Sequence, residues 1–220
     1  MTHTVDLYWS FRSPYSYLVV PRLLELERDW DAAVNVRPVL PIAVRQPDFF
    51  ANADPLWTSY LMRDCVRSAE FAGMPLRWPR PDPVLMDFAT RTYPSEQPHI
   101  HRLTRLGALA AERGKGLAVL RAVSHLIWSG EVDGWHEGDH LARAFGDAGC
   151  DLAEMDAVQA AQADRLDAVI NLLGELVIVN PGGKPDRSLI AYRLTDGASA
   201  WSGGDDNDSI SGNAGRDTLN

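Results

Sequence analysis

Ser13-Pro14-Tyr15-Ser16 is the stretch of the chain best placed to do chemistry. Serine followed by proline reads as a helix start. The serine side chain accepts from a first-turn amide, and proline at the first helical position lacks an N–H that would have no intrahelical partner there. A helix N-terminus carries bare N–H groups and a partial positive charge, so it favours an anion. A hydroxyl at that point can cap the helix, and it can also donate to an anion brought from outside.

Three other groupings carry reactive side chains. His136-Glu137-Gly138-Asp139-His140 satisfies H-E-x-x-H, which holds zinc only when both histidines share one face of a stable helix and a third ligand joins them. Gly138 weakens any helix there and Gly134 lies just upstream, so the stretch reads as the opening turn of a helix and not as a metal site. His99 and His101 would point the same way only on a strand, and their segment reads as helix, so both are read as structural. Cys65 and Cys150 are far apart and form no C-x-x-C pair, which fits two buried thiols in a reducing compartment, with the cytoplasm as the expected location.

The elements that must position Ser13 can be read from spacing. Thr4 to Trp9 and Val34 to Val39 are short β-rich runs, and between them Leu18, Val19, Leu23, Leu24 and Leu26 give a helix an apolar face. Pro21 falls inside that helix and should bend it. Strand, helix, strand makes the second strand parallel to the first. From about 54 to 170 the pattern is helical. Helices are expected over Trp57 to Phe71, Gln97 to Arg113, Leu117 to Trp128 and His136 to Phe145, with a proline-rich connector over 74–83. A capping box at Asp151 to Glu154 opens a last helical stretch towards Leu173. Trp57, Tyr60 and Trp128 are read as packing aromatics.

Composition narrows the partners. A formal net charge of -9 with no basic stripe argues against nucleic acid. No apolar run approaches the roughly 20 residues of a membrane span, and Met1-Thr-His-Thr-Val-Asp does not open like a signal peptide. The character of the chain changes after Ile170. Leu176 to Val179 is an apolar run, 181–185 a Gly-Pro turn, and Ser188 to Leu194 could pair back on the run as a hairpin. Residues 203–211 and 212–220 then align as two consecutive nonapeptides resembling the calcium-binding G-G-x-G-x-D-x-U-x repeat, with Asp208 and Asp217 at the aspartate position. Two repeats have no neighbour to stack on. The expectation is therefore a tail without fixed structure over 201–220, in which Asp208 and Asp217 do not hold calcium tightly.

The segment W-S-F-R-S-P-Y-S-Y-L resembles a thioredoxin-type active-site turn, Cys-Pro-x-Cys, with serine in place of both cysteines. With R-P-V-L-P, L-M-R-D, G-M-P-L-R-W-P and W-H-E-G-D-H-L-A-R-A, residues 4 to about 170 resemble the 2-hydroxychromene-2-carboxylate isomerase and kappa-class glutathione transferase family. That resemblance implies an α/β fold: a thioredoxin-like domain with an inserted all-helical domain. Here the N-terminal βαβ portion would span residues 1–45, the insertion 46–170 and a diverged segment 171–200. It implies a glutathione-dependent isomerase or transferase acting on a small aromatic compound, glutathione as co-substrate, and a homodimer as the common assembly. It implies Ser13 as the catalytic hydroxyl donating to the glutathione thiolate. Pro14, Tyr15 and Ser16 would bind beside it, and Asn52 would contact the substrate, although the residues around Asn52 differ from the family's pattern.

The resemblance stops near Ile170. The family continues with a Gly-His-Trp-Gly-Val-Pro-Thr segment, whose cis proline presents backbone to glutathione, and with a further strand pair. From Asn171 this sequence has neither. Either Glu175 to Leu194 rebuilds the missing hairpin with unrelated residues, or the chain is a non-catalytic fusion or fragment of such an enzyme with a calcium-repeat-like tail.

Overall fold

A computed structural model describes residues 3–87 and 92–176, together with the backbone of 191–193, 199–201, 210–211 and 218–219. Strand β1 (His3–Trp9) leads into helix α1 (Pro14–Asp29), which returns the chain to strand β2 (Ala32–Pro38). β1 and β2 pair in parallel from His3↔Ala32 to Trp9↔Pro38. This is the βαβ opening expected from the β-rich runs Thr4 to Trp9 and Val34 to Val39 on either side of a helix signal. Helix α1 runs unbroken through Pro21.

Two short helices, α2 (Ile42–Arg45) and α3 (Phe49–Asn52), then precede α4 (Pro55–Ala72). Asp54 caps α4 by accepting from Leu56 N, and Gly73 ends it at φ 64°, where a side chain would be strained. After the connector come α5 (Ile100–Glu112), α6 (Gly116–Trp128), α7 (His140–Asp147), α8 (Leu152–Ala161) and α9 (Ala163–Leu176). Ile100, Leu103, Leu106 and Leu109 turn one face of α5 into the core. The architecture is α/β, a parallel βαβ unit with an inserted helical region.

Two glycines let the helices close on the sheet. A Cβ on Gly107 would stand 2.9 Å from the ring of Phe11, and one on Gly116 would stand 2.9 Å from Val36 Cβ. Both contacts lie below what real packing allows, so α5 and α6 approach the strands as near as bare backbone permits.

Two helix boundaries differ from the sequence reading. The helix expected from His136 begins only at His140. Gly134 and Gly138 both adopt positive φ and hold 134–139 in turns. His136 and His140 therefore do not share a helical face, and among the described residues no cluster of three or more His, Cys, Asp or Glu side chains is arranged around a common point. The stretch from Asp151 to Leu173 divides at Gln162 into α8 and α9, with the Asp151 side chain accepting from Glu154 N as the capping box requires. The division lets the chain straddle α5. Arg102 and Arg113 on one flank pair with Asp156 and Glu154 of α8. Arg105 and Glu112, roughly 80° around the helix, pair with Asp167 and Arg165 of α9.

The possible hairpin between Leu176 to Val179 and Ser188 to Leu194 falls mostly outside the described residues. β3 (Ala191–Arg193) pairs antiparallel with β4 (Ser199–Trp201), followed by β5 (Ile210–Ser211) and β6 (Thr218–Leu219) in a separate antiparallel sheet. Residues 177–180, Asp208 and Asp217 lie outside the described residues, as does most of 201–220. Among the described residues, no helix is long and apolar enough to cross a membrane.

The start of α5 predicts an acid response. His99 packs its ring 4.6 Å from that of His136 and 5.4 Å from Trp135. Burial lowers its pKa below the ordinary 6.5, with the nearby His136 and Arg102 acting the same way. Burial also lowers that of His101. Both groups are harder to protonate folded than unfolded. Their contribution is complete above about pH 6.5 and is lost as pH falls towards the folded-state values. The melting temperature is expected to fall between neutral pH and about pH 5.5, and His99→Gln should reduce that fall. A melting temperature that rises on acidification over this range would contradict the packing described.

Candidate active-site cleft

β1 ends at Trp9, and Ser10, Phe11 and Arg12 turn the chain into α1. The turn is pinned from inside. Phe11 is buried, its carbonyl accepts from Trp128 Nε1 at 2.9 Å, and Ser13 N donates to Ser10 O at 3.1 Å. Ser13 has extended backbone (φ -91°, ψ 118°), and its Oγ accepts from Ser16 N at 3.2 Å. The cap uses the oxygen as an acceptor and leaves the hydroxyl proton to be donated elsewhere. The first turn of α1 holds no acidic side chain. Tyr17 N donates to Ser13 O, whereas the Tyr15 N–H has no acceptor among the described residues.

This helix start opens on a cavity of about 930 Å³ between the βαβ unit and the helical region. Ser13, Pro14, Tyr15 and Ser16 all line it. Val39 to Ala43 form the side below β2, Phe50, Trp57 and Met62 the side towards α3 and α4, and Trp78, Met86 and Tyr93 the side along the connector. The walls are mostly apolar and aromatic, the usual make-up of a small-molecule site.

Asn52 is exposed at the end of α3 and is absent from the cavity lining, although Ala51 and Ala53 on either side of it belong to that lining. Of the three aromatics read as packing residues, only Trp128 is core, at 1% exposure. Trp57 is on the cavity wall. Tyr60 is exposed and donates to Asp64 Oδ1 at 3.3 Å. Asp64 also accepts from Tyr15 at 2.6 Å, and this bond and burial push the Tyr15 phenol far above its ordinary pKa, burial contributing most.

Of the two thiols expected to be buried, Cys65 is and Cys150 is only half-buried, and two contacts had no counterpart in the sequence reading. Cys65, far from Ser13 in sequence, comes against Tyr15 through α4. It is 2% exposed, and burial pushes its thiol pKa up, so it stays a neutral thiol. On the opposite wall Asp82 takes Arg12 in a two-point ion pair, with Nε to Oδ1 at 3.2 Å and Nη2 to Oδ2 at 3.1 Å. The connector holds Asp82 there because the 128–135 segment clasps it. Arg77 N donates to Trp128 O, Gly134 N to Arg80 O, and Trp135 Nε1 to Pro81 O at 2.7 Å. The Arg80–Pro81 bond is cis. The signal available in sequence was the position of Arg12 beside Ser13 and of Asp82 four residues after Trp78.

A parallel βαβ unit with a capped, unacidified helix start facing a cleft under inserted helices is the framework of a thioredoxin-like protein, here with a hydroxyl at that helix start. The chain belongs to the DSBA-like thioredoxin domain family, whose model matches residues 4–168, about three quarters of its length. Among solved structures it is similar to a 2-hydroxychromene-2-carboxylate isomerase, at 20% identity and a TM-score of 0.57 over 82% of this chain and 86% of that one. It is also similar to a probable DsbA oxidoreductase from Streptomyces coelicolor, at 19% identity and a TM-score of 0.51 over 81% of this chain and 78% of that one. At such identities the likeness is one of fold. No curated protein matches the chain.

Proposed function

We propose that the protein is a glutathione-dependent isomerase of the 2-hydroxychromene-2-carboxylate isomerase type, or a kappa-type glutathione transferase, acting on a small aromatic compound. The observation that carries this reading is Ser13. Its oxygen accepts from Ser16 N, its proton remains available, and it stands at the edge of a large aromatic-walled cavity. A thiolate from glutathione would supply the nucleophile that adds to an unsaturated ligand and is expelled after the bond has turned. The chain's own residues supply the setting. The Ser13 hydroxyl and the Tyr15 N–H can donate to a sulfur anion, and the α1 N-terminus favours its charge. Phe50, Trp57 and Trp78 hold a flat ring and exclude water. Disulfide exchange of the DsbA kind has no support at this turn, because Ser13 and Ser16 occupy both thiol positions and Cys65 is sealed off.

The absence of the Val-Pro segment removes the backbone that would pair with glutathione. Glutathione is therefore expected to bind more weakly than millimolar, under about 4 kcal/mol, as read by calorimetry. Micromolar binding that Ser13→Ala abolishes would show that other residues have rebuilt that half of the site.

A further inference from the structure

The cleft contains a charged pair that the chemistry at Ser13 does not use. Arg12 and Asp82 line the cavity with side chains only 14% and 18% exposed. Asp82 is fully engaged. Its Oδ1 accepts from Arg12 Nε and Val84 N at 2.9 Å, and its Oδ2 from Arg12 Nη2 and Trp78 Nε1 at 3.1 Å. The four acceptor sites of a carboxylate are thereby occupied. Arg12 is only half engaged: Nε and Nη2 serve Asp82, while Nη1 has no acceptor among the described residues. Its guanidinium carbon lies 5.8 Å from the centroid of Phe50 and 5.6 Å from that of Trp78, which fixes the group against aromatic walls. Tyr93 lines the same wall, near enough that Arg12 and Asp82 both act on its hydroxyl.

We propose that Arg12 is the specificity-determining residue of the cleft, its unclaimed Nη1 edge taking a carboxylate on a flat aromatic ligand while Asp82 locks the guanidinium in place. The Nη1 edge is not sealed in the core and Arg12 lines the cavity, so its unused N–H groups are open to an acceptor that enters there. Asp82 has already committed its oxygens to Arg12, Trp78 and Val84, so the wall offers an incoming anion donors and no free acceptor. Arg12 and Ser13 line the same cavity, so the carboxylate and the reacting carbons of one small ligand can face the two residues together. The inference rests on reading the cleft as the ligand site, but it does not require glutathione or turnover.

The test is binding without glutathione, with cinnamate and its neutral isostere cinnamamide as probes. Wild type is expected to prefer cinnamate by about tenfold, the scale of one charge-assisted contact. Arg12→Gln should erase the preference, and Arg12→Lys, which keeps the charge without the fork, should keep some of it. Asp82→Asn should increase the preference, because it removes the neutralising charge and leaves Arg12 in the cleft. If the pair were merely structural, Arg12→Gln and Asp82→Asn would weaken both probes alike. That result, equal binding of the two probes to wild type, binding of neither, or a preference that survives Arg12→Gln would overturn the proposal. If the preference behaves as expected but no glutathione-dependent reaction is found, the isomerase reading fails and the role of Arg12 stands.

Discussion

Ser13→Ala is expected to lower glutathione-dependent turnover by about 10²–10³-fold, the usual effect of removing one donor aimed at a developing or bound anion. The proposed reaction gives the hydroxyl a second role beside capping, and the variant separates the two by magnitude. As a cap, Ser13 Oγ accepts from Ser16 N, and losing that bond costs about 0.5–2 kcal/mol of stability. As a donor in the proposed reaction, it would stabilise a sulfur anion that exists only when glutathione is bound. The fold should therefore survive while turnover collapses. Ser13→Thr keeps both a cap and a hydroxyl and should retain far more activity than the alanine variant. Equal turnover in wild type and Ser13→Ala, measured at saturating glutathione, would leave Ser13 as a cap and nothing more.

Trp128→Ala is expected to be the most damaging single change to the structure, at about 3–5 kcal/mol, or a melting temperature lower by about 6–20 °C for a chain of this length. Trp128 closes α6 at 1% exposure. Its ring meets that of Trp78 edge-on at 5.2 Å, and its Nε1 donates to Phe11 O at 2.9 Å. One side chain thus supports both the turn leading to Ser13 and the connector wall carrying Asp82. Trp128→Phe keeps most of the volume but leaves the Phe11 carbonyl buried without its donor, at about 1–3 kcal/mol. Thermal melts of the two variants distinguish packing from hydrogen bonding. Destabilisation below about 1 kcal/mol for the alanine variant would show that Trp128 does not pin the turn.

The regions of this molecule governed by local chemistry were legible in the sequence. Ser13-Pro14 and Asp151 to Glu154 name their own caps, and the spacing of Ile100, Leu103, Leu106 and Leu109 names the buried face of α5. Helix starts and breaks that depend on neighbours were not. Gly134 and Gly138 delay α7 to His140, and the division at Gln162 follows from the two flanks that α5 offers to α8 and α9. The cleft was half legible. Ser13 to Ser16 line the cavity, but Asn52 is absent from the lining while Trp57 belongs to it. Cys65 beside Tyr15, and Asp82 beside Arg12, are contacts across 50 and 70 residues, made by α4 and by a connector with no periodicity to read.

In the proposed reaction Ser13 serves a thiolate supplied by glutathione, and the most direct measurement is isomerisation of 2-hydroxychromene-2-carboxylate followed by absorbance with glutathione present or omitted. Turnover that requires glutathione in the wild type, and is all but lost in Ser13→Ala with glutathione at the same concentration, is the predicted result. Turnover that proceeds equally without glutathione, or none with it at concentrations well above millimolar, would contradict the account.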